Sequence, residues 1–100
     1  MEHEKFDMEK LKNLILYICL KAGAGKLNKT KLFKALWFSD SFFYVNTGEP
    51  ITGESYVRGH FGPIPSNAED AIRELEEEGK LVETPGEYMN GGYKYLQQHH

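Results

Sequence analysis

Apolar positions recur at helical spacing in the first part of the chain. Leu11, Leu14, Ile15, Ile18, Cys19 and Ala22 follow the i, i+3, i+4, i+7 rule and make one stripe. Lys10, Lys12, Asn13 and Lys21 fall mostly off it. Asp7 is suited to accept the first-turn amides, and Glu9 suits the positive end of the helix dipole. Gly23 and Gly25 stop the pattern, so a helix is expected from about Asp7 to just before Gly23.

The second apolar segment has a different texture. Asn28 is a good N-cap, with Leu27 and Leu32 at the two positions of a hydrophobic staple. Leu32-Phe33-Lys34-Ala35-Leu36-Trp37-Phe38-Ser39-Asp40-Ser41-Phe42-Phe43-Tyr44 is then apolar almost all round. A helix of that kind is expected to be central, with neighbours on several sides. Asn46-Thr47-Gly48-Glu49-Pro50 ends it.

Residues 51–61 carry Ile51, Tyr56, Val57 and Phe61 between glycines and read as an extended stretch or a short helix. Gly62-Pro63-Ile64-Pro65 reads as a rigid turn, because each proline fixes its own φ and biases its predecessor toward extended geometry. Ser66-Asn67-Ala68-Glu69 has the form of a capping box. Ala68, Ala71, Ile72 and Leu75 give the third helix its apolar face, and Gly79 is its stop. Residues 80–84 and 93–97 read as two strands, with Pro85-Gly86 and Asn90-Gly91-Gly92 as turn material. The expectation is a mainly α chain with a small β-hairpin: a winged-helix-like three-helix core followed by a two-stranded wing. Residues 1–98 are expected to form one domain. His99 and His100 are set aside as a possible tag remnant.

Composition narrows the function classes. Aromatics make up 13% of the 100 residues, which predicts a ring-rich core with most rings buried. The net charge of −3 gives the whole molecule no pull toward nucleic acid or anionic lipid. Cys19 is the only cysteine, so neither an intramolecular disulfide nor a thiolate zinc cluster is available; a buried, inert thiol is expected. The longest nearly apolar run, residues 14–20, is short of the roughly 20 residues that span a bilayer. The expected setting is cytoplasmic, without membrane contact.

Candidate chemistry is sparse. His60 is the only histidine away from the termini, and Ser39, Ser41, Ser55 and Ser66 lie in no Gly-x-Ser-x-Gly elbow. His60 is expected to cap or hydrogen-bond within a turn. Glu76, Glu77 and Glu78 read as a solvated helix end rather than a cation site. Gly23-Ala24-Gly25-Lys26 lacks the full phosphate-loop spacing. No catalytic, metal-ligating or cofactor-binding residue is assigned. Lys26, Lys29, Lys31, Lys34 and Arg58 are the candidate phosphate contacts of a DNA-binding alternative. The third helix opposes that alternative, since it sets Glu69, Asp70, Glu74, Glu76, Glu77 and Glu78 against Arg73 alone. Tyr88, Met89, Tyr93 and Tyr95 on the wing are the candidate protein-binding residues. Asp40, inside the apolar helix, needs a hydrogen-bonding or charged partner. It is expected to accept backbone N–H groups or pair with Arg58 or a lysine, tying its helix to the Gly62-Pro63 turn; Pro65 completes that structural motif.

Lys31-Leu32-Phe33-Lys34-Ala35-Leu36-Trp37-Phe38-Ser39-Asp40 resembles the Lys-Leu, aromatic, Ala/Ser-Asp helix of the Panacea domain, the SocA-like or GepA-like antitoxin domain of prokaryotes and their phages. Thr47-Gly48-Glu49-Pro50-Ile51-Thr52-Gly53 is similar to that family's Gly-x-Pro-Ile-x-Gly connection. Tyr56 and then Phe61-Gly62-Pro63-Ile64-Pro65 follow in the family's order. The resemblance implies a non-enzymatic antitoxin that neutralises a toxin by direct binding, with no cofactor. The alternative is a winged-helix DNA-binding regulator of phage or mobile-element origin.

Overall fold

The computed structural model describes residues 6–22, 27–84 and 87–90. Along these the elements are α1 (Met8–Ala22), α2 (Lys29–Thr47), β1 (Tyr56–Gly59), β2 (Gly62–Pro65), α3 (Ala68–Glu77), β3 (Leu81–Thr84) and β4 (Glu87–Asn90). Three helices and an antiparallel ribbon after the third agree with the mainly helical expectation. A second ribbon, β1–β2, lies between α2 and α3.

Local chemistry sets the helix ends. The Asp7 carboxylate accepts from the Lys10 amide at 3.1 Å, and Asn28 accepts from the Lys31 amide at 2.8 Å. At the end of α2, Gly48 takes φ +83°, a left-handed value that costs a side chain free energy, and its N–H donates to Tyr44 O at 2.7 Å. At the end of α3, Gly79 N–H donates to Glu76 O and Lys80 N–H to Leu75 O, the paired bonds of a Schellman motif. The capping box is corrected. The residue before α3 is Asn67, and its side chain makes no cap bond. Instead the Glu54 carboxylate, 13 residues earlier, accepts from the Asn67 amide at 2.6 Å and from Asn67 Nδ2 at 2.8 Å. An anion there also meets the positive end of the helix dipole.

Both ribbons differ from the sequence reading. Gly62-Pro63-Ile64-Pro65 is strand β2, not a turn, and residues 56–59 are the strand it pairs with, around the two-residue loop His60-Phe61. Tyr56 lies opposite Pro65, Val57 opposite Ile64, Arg58 opposite Pro63 and Gly59 opposite Gly62. One rung further, Ser66 N–H donates to Ser55 O at 2.9 Å. Bonded rungs alternate in an antiparallel pair, so the bonds fall on Val57–Ile64 and Gly59–Gly62. Pro63 and Pro65 occupy the rungs between, where a missing N–H costs the ribbon nothing. In the second ribbon β4 follows directly on Pro85-Gly86, with Leu81 opposite Asn90 and Thr84 opposite Glu87. The partner strand is therefore 87–90; the expected strand at 93–97 lies outside the described residues.

The core gathers Leu11, Ile15 and Cys19 of α1, Leu27, Leu32, Phe33 and Leu36 at and within α2, Ala68, Ala71, Ile72 and Leu75 of α3, and Leu81 of β3. The remaining stripe residues of α1, Leu14, Ile18 and Ala22, pack against it. Lys12 corrects its expected placement off the stripe. It is buried, and its ammonium reaches Glu78 at 2.7 Å and Glu74 at 3.2 Å, joining α1 to α3. The Glu78 bond, more than anything else, holds the ammonium above its ordinary pKa despite burial; the same bond holds the Glu78 carboxyl below its own. Glu76, Glu77 and Glu78 are all exposed, as expected of a solvated helix end, and Glu78 is in addition an anchor for Lys12.

Candidate partner-binding surface

α2 buries Leu32, Phe33, Leu36 and Asp40 and little beyond them. From Trp37 onward it carries large apolar side chains into solvent: Trp37 is 45% exposed, Phe38 63%, Phe42 60%, Phe43 41%, Tyr44 47% and Val45 81%. The expectation of a central helix with buried rings is corrected. Among the described aromatics Phe33 alone is buried, and Phe6 and Tyr56 are half-buried. Two other short helices and two ribbons supply too little surface to surround a 19-residue helix.

The exposed side chains form rows. Phe38, Phe42 and Val45 stand at i, i+4 and i+7 on one face, and the Phe38 and Phe42 rings stack with centroids 6.0 Å apart. Trp37, Ser41 and Tyr44 form the neighbouring row and floor a groove of about 350 Å³, walled by Pro50, Glu54 and Tyr56. Next to it, a groove of about 370 Å³ runs between Trp37 and the ribbon residues Tyr56, Val57, Arg58, Gly62 and Pro63. A third, about 210 Å³, lies between Lys29, Thr30 and Phe33 of α2 and the ribbon from His60 to Ile64. Exposed apolar side chains at neighbouring helical positions make this face the candidate interaction surface among the described residues.

Asp40 holds the surface in shape. It is 5% exposed and accepts four hydrogen bonds: from the Ile51 amide at 3.1 Å, the Thr52 amide at 3.0 Å, Thr52 Oγ1 at 2.7 Å and the Tyr56 hydroxyl at 2.7 Å. Two of the donors are backbone amides, as expected, but the tether goes to the connection and β1, not to the Gly62-Pro63 turn. Arg58 is exposed and is no partner of Asp40. Burial first, and then the bond to Asp40, push the Tyr56 phenol far above its ordinary pKa, so it stays a donor. Thr52 Oγ1 also accepts from the Glu54 amide, and Glu54 caps α3. The chain Asp40–Thr52–Glu54–Asn67 therefore links α2, the connection and α3.

Other candidates are dispersed. Lys29 pairs with Glu69 at 2.9 Å, across from the acidic face of α3. Lys34 lies along Gly62, Lys31 and Arg58 are exposed, and Lys26 lies outside the described residues. His60 sits in the hairpin loop, edge-on to Phe61 at 5.2 Å. Burial pushes the Cys19 thiol up to about 11, so it is a poor nucleophile near neutrality. Tyr88 and Met89 fall on β4, their side chains outside the described residues, as are Tyr93 and Tyr95. Among the described residues no group of acids, histidines and cysteines is arranged to hold a metal ion. No helix there is long and apolar enough to cross a membrane.

Residues 32–99 match the family described as antitoxin SocA-like, Panacea domain. The chain belongs to this family. Membership supports an antitoxin-type, non-catalytic role and a protein partner. No match was found among curated proteins or among solved structures. In this Panacea domain the motif residues Thr52 and Tyr56 both donate to the buried carboxylate of Asp40. The exposed rings Phe38, Phe42 and Tyr44 stand on the same helix as surface.

Proposed function

We propose that this protein is a cytoplasmic antitoxin that neutralises a partner toxin by direct binding, and that the exposed aromatic rows of α2 are its main docking surface. The observation that carries the reading is the run from Trp37 to Val45, six large apolar side chains left in water by a helix whose other face is core. Aromatic anchors of this size dominate the energy of protein interfaces. The β3–β4 ribbon is the wing of a winged-helix-like core, and Tyr88, Met89, Tyr93 and Tyr95 are the second contact region. DNA binding is disfavoured: Lys29 is engaged by Glu69, and the outer face of α3 is acidic and repels phosphate.

Co-expression with the toxin encoded beside the gene tests this reading. The unmodified chain restores growth and co-purifies with the toxin. The double variant Phe38→Ser, Phe42→Ser keeps the fold, by an unchanged melting curve, and loses both. A toxin that co-purifies equally well with that variant would reject the α2 surface. A toxin that never co-purifies with the unmodified chain would reject neutralisation by binding.

A further inference from the structure

The two outer edges of the β1–β2 ribbon are chemically unlike. Outward positions on β2 are Pro63 and Pro65, which have no N–H, so a strand cannot add there in a regular ladder. Outward positions on β1 are Tyr56 and Arg58, and both carry an N–H and a C=O directed away from β2. Among the described residues no third strand pairs with this edge, and no turn or loop bond uses these backbone groups. The edge borders the groove of about 370 Å³ that Trp37 lines. Val57 is 57% exposed, and Arg58 is exposed with no ion pair among the described residues.

We propose that the β1 edge is a strand-addition site for an extended segment of a partner protein. That segment pairs along residues 56–58, sets an acidic side chain against Arg58, and places an apolar one in the Trp37 groove. Charge selects this occupant. The strand Tyr56–Gly59 carries a cation and no acid, and Lys34 lies along Gly62 on the same ribbon. A second copy of β1 brings a like charge to the edge, whereas an acidic segment is complementary. The inference goes beyond toxin capture by α2, whose helical backbone offers no ladder of free donors, and shares with it only the premise that the partner is a protein.

Trp37 is the only tryptophan, so its emission reports on the groove. Short random linear peptides displayed and selected against the full chain supply the probe, and the recovered peptide is titrated by Trp37 fluorescence. Recovered sequences are expected to alternate apolar and acidic residues. Arg58→Pro removes an outward N–H without touching a bonded rung, as Pro63 does opposite. It should weaken binding about tenfold or more, whereas Arg58→Ala, which keeps the amide, should weaken it about threefold. In the unmodified chain the Tyr56 and Arg58 amides should gain hydrogen-exchange protection on peptide binding, a readout that stands even if the proline variant misfolds. The proposal is overturned by equal weakening in the two variants, by absence of that protection, by recovery of no binding peptide, or by self-association through this edge. The toxin experiment is independent: a toxin held by α2 while the β1 edge binds nothing leaves the antitoxin reading standing.

Discussion

The two halves of α2 both carry large apolar side chains, and these meet opposite fates. Leu32, Phe33 and Leu36 are within 7% of complete burial, while Phe38, Phe42 and Val45 are 60% exposed or more. Side-chain hydrophobicity does not separate them. The difference lies in what is packed alongside: the first half shares the core with residues of α1 and α3 and lies against β2, and beyond Asp40 the described fold offers that face nothing equivalent. An apolar residue is buried only when chain remains to bury it, and here the unburied remainder is the surface we propose for docking.

Asp40, at the border of the halves, should give the largest effect. Asp40→Ala leaves the Thr52 and Tyr56 donors without their acceptor and should cost about 1–3 kcal/mol for each group left unpaired. At about 4–8 °C per kcal/mol the melting midpoint should fall by more than about 10 °C; an unchanged midpoint would show that the carboxylate ties nothing. Leu36→Ala should cost about 2–5 kcal/mol in urea unfolding, since it empties a fully buried site. Phe42→Ala, on the same helix, should stay within about 0.5 kcal/mol while lowering hydrophobic-dye binding. Equal costs at the two positions would erase the distinction between the halves.

A smaller effect belongs to the packed side. The Glu78 carboxyl is held below its ordinary 4.5 by Lys12, so its contribution is present above that value and lost as pH falls through the folded value. The melting midpoint should drop as the pH falls below the ordinary carboxyl value, and Glu78→Gln should flatten that drop. The raised Lys12 value works at the other end, its contribution lost only at strongly alkaline pH. A slope identical in the variant would remove the ion pair from the account of how α1 meets α3.

Features set by neighbours in sequence were legible from the residues. Asp7, Asn28, Gly48 and Gly79 begin and end helices where their local chemistry says they should. The stripe of α1 likewise predicted its buried face. Features set across distance were not. Lys12 sits off the apolar stripe by type yet is buried, because Glu74 and Glu78 arrive from another helix. Glu54 caps α3 from 13 residues away, which no local motif encodes. Pro63 and Pro65 suggested a turn because proline breaks ladders; an i, i+2 pair sharing one outward side breaks none. Of the candidate site, Trp37 to Tyr44 was visible as an apolar run, but its exposure depended on which neighbours the fold supplies.

The connection at residues 49–55 has no regular secondary structure, yet it is bound to every helix. Thr52 O accepts from the Asp7 amide at 2.8 Å where α1 begins, its amide and hydroxyl reach Asp40 in α2, and Glu54 holds the start of α3. A segment so cross-linked cannot open without releasing all three helices together. The amides of Asp7 and Thr52 should therefore exchange at the rate of whole-molecule opening, as slowly as the helix interiors, and this loop should report the cooperativity of the entire unit.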